Sequence, residues 1–320
     1  MTGAITFEHV TKRYPAATQP AVDDVSLEVP HGSLVVLLGP SGCGKTTLLK
    51  MVNRLQEHDL GRVLVDGKDV RSFQVNDLRR GIGYTIQSVG LFPHMTVARN
   101  IATVPEMLRW DKPRIEERID SLLELVGLDP GEYRHRYPEQ LSGGQQQRVG
   151  LARALAADPA ILLMDEPFAA IDSITRRRLQ DELLDIQARL RKTVLFVTHD
   201  VEEAIRLGDR IAVMRLGRVV QYDTPLNILS KPADEFVASL VGAGDVLRRL
   251  SLLSVRSAMC PPAGRSPADR GAVLDANSTL REALGLLLST GAEWLSVRGP
   301  SGEEEGIIDL SSIKSAVFTD

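Results

Sequence analysis

Gly39-Pro40-Ser41-Gly42-Cys43-Gly44-Lys45-Thr46-Thr47 constrains this chain more than any other stretch. It follows the apolar run from Ser33 to Leu38. It precedes Leu48, Leu49, Met51 and Val52, which are apolar at helical spacing. A short β-rich run, a glycine loop and then a helix is the setting a P-loop requires. Glycines let successive backbone N–H groups turn inward around a phosphate, and the helix N-terminus adds partial positive charge. Lys45 brings a point charge to the β- and γ-phosphates, and the Thr46 hydroxyl is a ligand for Mg²⁺. The stretch predicts an α/β fold that binds ATP or GTP.

Three later stretches extend this chemistry. Leu141 to Arg148 starts with Ser142, a good N-cap, and Gly143 and Gly144 leave backbone N–H groups exposed at a second helix start. Ile161 to Met164 is an apolar run ending in Asp165 and Glu166. Beside a P-loop, such a pair suits Asp165 to Mg²⁺ and its hydration shell, and Glu166 to the water attacking the γ-phosphate. Thr193 to Thr198 reads as another buried strand and ends at His199, on the ligand side of an open α/β sheet. The other five histidines have no such setting and read as structural. Tyr14, after Lys12 and Arg13, offers a face for a purine ring.

Composition narrows the class. The chain has 320 residues, 43% hydrophobic and 25% charged, which is ordinary globular usage. Its net charge of −4 argues against nucleic acid as a partner. Two cysteines, Cys43 and Cys260, are too few for a disulfide framework and fit a reducing compartment. No apolar run reaches the ~18 residues that span a bilayer, so the chain is expected to be soluble and to reach a membrane only through a partner. Loose alternation from Ala4 to Tyr14, clean alternation from Val25 to Val29, and Gly61 to Val65 predict an antiparallel layer beside a parallel core. From Gln87 to Gly127 the chain reads as a helical insertion with an exposed apolar face, a surface suited to docking.

The P-loop, Gln87, Leu141 to Gln145, Asp165 with Glu166, and His199, in this order, resemble the nucleotide-binding subunit of an ABC transporter. The resemblance runs from Ile5 to about Gly242. It implies a P-loop NTPase fold, with a RecA-like core, an antiparallel β layer and a helical subdomain spanning about residues 88–158. It makes Tyr14 the adenine-stacking aromatic and Gln87 the glutamine that touches Mg²⁺ and links ATP to the membrane subunits. It makes His199 the switch that contacts the γ-phosphate. Asp172 falls in a loop that crosses to a partner subunit, where Ala169-Ala170-Ile171-Asp172 stands in place of the family's more usual Ser-Ala-Leu-Asp. ATP and Mg²⁺ are the implied ligands. A second copy of the chain and integral membrane permease subunits are the implied partners, with a solute-binding protein reached indirectly. The implied location is the cytoplasmic face of the inner membrane.

Gln87 to His94 and Arg99 to Pro105 further resemble importers of glycine betaine, carnitine and choline-type osmoprotectants. An importer for another small solute, such as an amino acid or polyamine, and a non-transport soluble ABC ATPase are the alternatives. Beyond Gly242 a linker is expected over 243–271. Then come a capping box at Thr279 and Glu282, a helix with Leu280, Leu284, Leu287 and Leu288, and strands at Trp294 to Val297 and Gly306 to Asp309. This β-α-β-β-α order over 272–320 resembles a single CBS motif, a regulatory or dimerisation domain.

Overall fold

The computed structural model describes residues 3–15, 17–86, 90–169, 171–261 and 272–318. Gln87, Ala170 and residues 262–271 of the expected linker therefore lie outside the described residues. The earlier part of that stretch is not a bare linker, since it carries the helix Val246–Leu250 and buries Leu250 and Val255 in a core. The chain divides into two compact units, at Thr224/Pro225.

In the first unit a six-stranded sheet runs in the spatial order Arg218–Asp223, Arg210–Arg215, Leu34–Leu38, Thr193–Thr198, Ile161–Asp165, Ile82–Thr85. All neighbours are parallel except the first pair, a hairpin turned at Leu216 and Gly217. Leu34–Leu38, Ile161–Asp165 and Thr193–Thr198 are buried along their whole length. That is why they read as continuous apolar runs with no alternation. A second, antiparallel sheet has the order Val22–Val29, Ile5–Lys12, Leu60–Val65, Lys68–Asp69. Its apolar face and that of the parallel sheet share one core with the P-loop helix Lys45–Val52, through Phe7, Val25, Leu48, Leu49, Met51 and Leu195.

The register puts the functional loops side by side. Leu38 pairs with both Thr198 and Val213, and Asp165 pairs with Val197. The P-loop, Glu166 and His199 thus leave adjacent strands at the same C-terminal edge.

The insertion contains helices Val97–Met107, Lys112–Leu125 and Gly143–Leu155. The first was not legible in the sequence, where an apolar connector and Pro105 obscured it. Asn100, fully buried, builds it: its amide donates to the carbonyls of Phe92, Met95 and Thr96, and its oxygen accepts the Phe92 N–H. These bonds tie the turn from Phe92 to Thr96 onto the start of the helix.

The second unit, Pro225–Asp320, has its own core around Leu280, Leu287, Leu295, Val297 and Ile308. Its sheet has the order Val273–Asp275, Trp294–Arg298, Glu304–Asp309. The helices Leu280–Thr290 and Leu310–Phe318 complete the β-α-β-β-α order. Thr279 and Glu282 form the expected capping box, and Gly291 closes the helix at φ 68. Of the consecutive Glu303, Glu304 and Glu305, Glu304 accepts from the Ser296 hydroxyl at 3.0 Å and Glu305 pairs with Arg256 at 2.9 Å.

Candidate nucleotide-binding site

The loop from Gly39 to Gly44 is wedged between the two sheets. A Cβ on Gly39 would lie 2.3 Å from the Met214 carbonyl oxygen, and one on Gly44 would lie 2.2 Å from that of Ala21. Gly44 also holds φ 105, which a side chain rarely adopts. Cys43 is buried beside them, and its carbonyl accepts the Gly217 N–H at 3.1 Å. Burial pushes the Cys43 thiol up, with Lys45 drawing it partly back, so it serves as a small neutral filler. Pro40, Ser41 and Gly42 form the outer turn, and Gly42 has open space where a side chain would stand.

Lys45, almost wholly buried, donates to the carbonyls of Gly39 at 2.7 Å and Pro40 at 3.0 Å. Its ammonium is thus aimed across the mouth of its own loop. Thr46 donates to Asp165 Oδ1 at 2.8 Å, and Lys50 approaches the other carboxylate oxygen at 4.0 Å. Burial raises the Asp165 carboxyl above its usual range, against the Thr46 hydrogen bond and Lys50. The same desolvation, with Asp165 nearby, pushes Tyr84 up to about 12. Lys50 is one helical turn beyond Thr46 and so shares its face, a spacing from which the contact was readable.

Glu166 leaves the strand at φ 46, held by its N–H to the Val197 carbonyl at 3.0 Å. Its carboxylate lies 3.2 Å from His199 Nδ1. The His199 turn has a support that sequence reading missed. Thr198 donates to Glu203 at 2.6 Å, and its hydroxyl oxygen accepts the Asp200 N–H at 2.9 Å. Arg176 joins Asp200 at 3.3 Å to the Ile171 carbonyl at 2.9 Å, linking this turn to the loop that ends at Asp172. Asp172 caps its helix by accepting the Thr175 N–H at 3.1 Å, and that bond holds its carboxyl below the usual range.

Tyr14 lies 40% exposed, its hydroxyl donating to Gln56 at 3.2 Å and 3.5 Å from that of Thr47. Ser142 and Gln145 form a reciprocal capping box, and Gln145 also donates to the Tyr133 hydroxyl at 3.0 Å. Gly143 has open space around it, while Gly144 packs against the Thr175 methyl. The hydrogen bonds of Ser142 and Gln145 run to each other and to Tyr133 rather than to the P-loop. The structure brings together Thr46 with Asp165, Glu166 with His199, and Tyr14 with Thr47. Gln87 lies outside the described residues.

The ABC transporter family matches residues 22–169. The glycine betaine uptake system ATP-binding protein YehX of Escherichia coli is 48% identical over 97% of this chain and 98% of its own length. The chain belongs to the ABC transporter family. It is an ATP-binding, ATP-hydrolysing subunit of that family. The osmoprotectant import ATP-binding protein OsmV of Salmonella typhimurium is 53% identical, covering 78% of this ABC ATPase and 66% of its own chain. Among solved structures, the ATP-binding cassette MJ0796, a dimer in a post-hydrolysis state bound to ADP and Pi, superposes with a TM-score of 0.62 at 32% identity. It covers 69% of this chain and 98% of its own. Among the described residues of the ABC ATPase, no helix is long and apolar enough to cross a membrane.

Proposed function

We propose that this ABC ATPase is the energy-coupling subunit of an importer for quaternary-amine osmoprotectants such as glycine betaine, carnitine or choline. The observation that carries the reading is the near end-to-end match to a glycine betaine uptake ATPase, which includes the C-terminal unit. Tyr14 stacks on the adenine, and the residues from Gly39 to Thr47 bind the phosphates. The hard oxygens of Thr46 and Asp165, 2.8 Å apart, suit Mg²⁺, which neutralises phosphate charge when bound. Glu166 orients and deprotonates the attacking water, and His199 contacts the γ-phosphate. Gln87 belongs to the same set as a metal-side contact. Ser142, Gly143, Gly144, Gln145 and Asp172 lie outside the P-loop's hydrogen bonds, and serve the nucleotide of a second copy of the chain across a homodimer.

A groove lined by Leu55, Tyr84, Phe92, Val104, Met107 and Arg153 separates the insertion from the core. Phe92 and Met107 are exposed there, and Arg153 lies over the Phe92 ring at 5.7 Å. Its occupant is a segment of an integral membrane permease, which holds the ATPase at the cytoplasmic face of the membrane. A solute-binding protein delivers the cargo to that permease. Within the C-terminal unit, residues 272–320 form a CBS-like regulatory or dimerisation domain. The test is to recover the complex from membranes, reconstitute it with its solute-binding protein, and measure ATP hydrolysis against candidate solutes. Stimulation by glycine betaine, carnitine or choline is expected. Stimulation by an amino acid or polyamine alone overturns the solute and leaves the ATPase standing.

A further inference from the structure

The segment 53–59, between the P-loop helix and the strand Leu60–Val65, contributes no phosphate or metal contact to the site described above, yet it is heavily braced. Leu55 and Gln56 donate their N–H groups to the Lys50 carbonyl at 2.9 and 3.1 Å, folding the segment back on the end of the P-loop helix. Arg79 donates to the carbonyls of Asn53 and Arg54 at 3.1 and 2.8 Å. Arg54 pairs with Glu57 at 3.0 Å, and Arg71 holds both Glu57 and the His58 carbonyl.

From this frame two side chains reach the segment that carries Tyr14. Asp59 meets three consecutive residues: its N–H donates to the Thr11 carbonyl at 2.9 Å, its Oδ1 accepts from Lys12 Nζ at 2.8 Å, and its Oδ2 accepts the Arg13 N–H at 2.7 Å. These bonds hold its carboxyl below the usual range, with the Arg13 N–H the largest influence. Gln56 accepts the Tyr14 hydroxyl at 3.2 Å. Lys12, drawn to Asp59, sits 5.9 Å from the centre of the Tyr14 ring. Tyr14 lies past the end of the strand Ile5–Lys12. The sheet ladder therefore stops short of it, and Asp59 and Gln56 hold it instead.

We propose that Asp59 and Gln56 are positioning residues for the nucleotide's base. They fix the Tyr14 ring relative to the P-loop helix, so that one rigid frame carries both the base platform and the phosphate loop. This rests on the reading of Tyr14 as the base-stacking aromatic. A platform held at a set distance from the phosphates adds base affinity without ordering cost at binding. Loss of the clamp weakens the base contact and leaves the phosphate contacts alone.

The experiment compares calorimetric binding of ATP and of inorganic tripolyphosphate, which lacks a base, by the full-length chain. Asp59→Ala is expected to weaken ATP about five- to tenfold, the scale of one or two hydrogen bonds lost, and to leave tripolyphosphate unchanged. Asp59→Asn should fall between, because its amide oxygen still accepts the Arg13 N–H while Lys12 loses its charge partner. Gln56→Met, which removes only the acceptor of the Tyr14 hydroxyl, should lower ATP affinity in the same selective way. Equal losses for both ligands would make Asp59 a general support of the fold and overturn the proposal, as would no loss for either. Tyr14→Ala separates the two readings. If it lowers ATP affinity and the clamp variants do not, the clamp alone falls; if it changes nothing, the base platform falls and the clamp with it.

Discussion

Glu166 holds a left-handed backbone that a non-glycine residue adopts at some energetic cost, as residues at reacting centres often do. The turn swings its carboxylate off the strand axis toward His199. Glu166→Gln keeps the shape and removes the carboxylate proposed as the base, so turnover should fall ~10²–10⁴-fold. ATP affinity measured on the same preparation should be kept. Near-normal turnover would move the base elsewhere, with His199 the next candidate. Glu203 makes a prediction of a different kind. Burial raises its carboxyl above the usual range, and the hydrogen bond from Thr198 only partly offsets this. A raised folded-state value means the carboxyl favours the fold below its unfolded value, and this contribution is lost as pH rises through the folded value. Above the unfolded value Glu203 therefore burdens the fold, because burial disfavours its charged form. Glu203→Gln should raise the denaturant midpoint near pH 7, and that advantage should shrink as the pH is lowered toward 4.5, the unperturbed value. An advantage independent of pH would assign the effect to packing.

The helix Gly143–Leu155 begins with a capped, exposed N-terminus whose bonds do not reach the P-loop. If a second copy supplies the phosphate it faces, Ser142→Arg should keep ATP binding and lose most hydrolysis. Mixing it with Lys45→Ala should restore part of the activity, because each hybrid dimer then holds one intact composite site. A mixture no more active than its parents would count against shared sites. The sequence made this helix and its cap legible because serine, two glycines and a glutamine at the third helical position are a local signal. It made the three buried strands legible for the same reason, as apolar runs of strand length bounded by polar ends. The helix Val97–Met107 was hidden because Pro105 argues against helix while Asn100, which organises it, bonds to carbonyls several residues away. Likewise the contact of Thr46 with Asp165 follows from the P-loop pattern, but Asp59 with Lys12 and Arg13 does not. A lone aspartate in a connector carries no pattern, and only the pairing of the antiparallel strands brings it to the end of the first one.

The two compact units each bury a core of their own. Multi-domain chains of this kind commonly unfold in more than one step. Scanning calorimetry should resolve two transitions, of which added ATP shifts only that of the first unit. At a hundred times its dissociation constant, ATP stabilises that unit by ~2.7 kcal/mol. A single transition that ATP moves as a whole would show the units melting together. Within the first unit, the P-loop glycines abut Ala21 and Met214, one before the antiparallel sheet's second strand and one in the hairpin strand of the parallel sheet. The loop is therefore a keystone set between two walls rather than an ornament on one of them. An engineer who trims the chain to its parallel sheet, deleting everything before Pro30, would keep every residue from Gly39 to Thr47 and still lose the grip on phosphate. The motif is nine residues of text, and its foundation is both sheets.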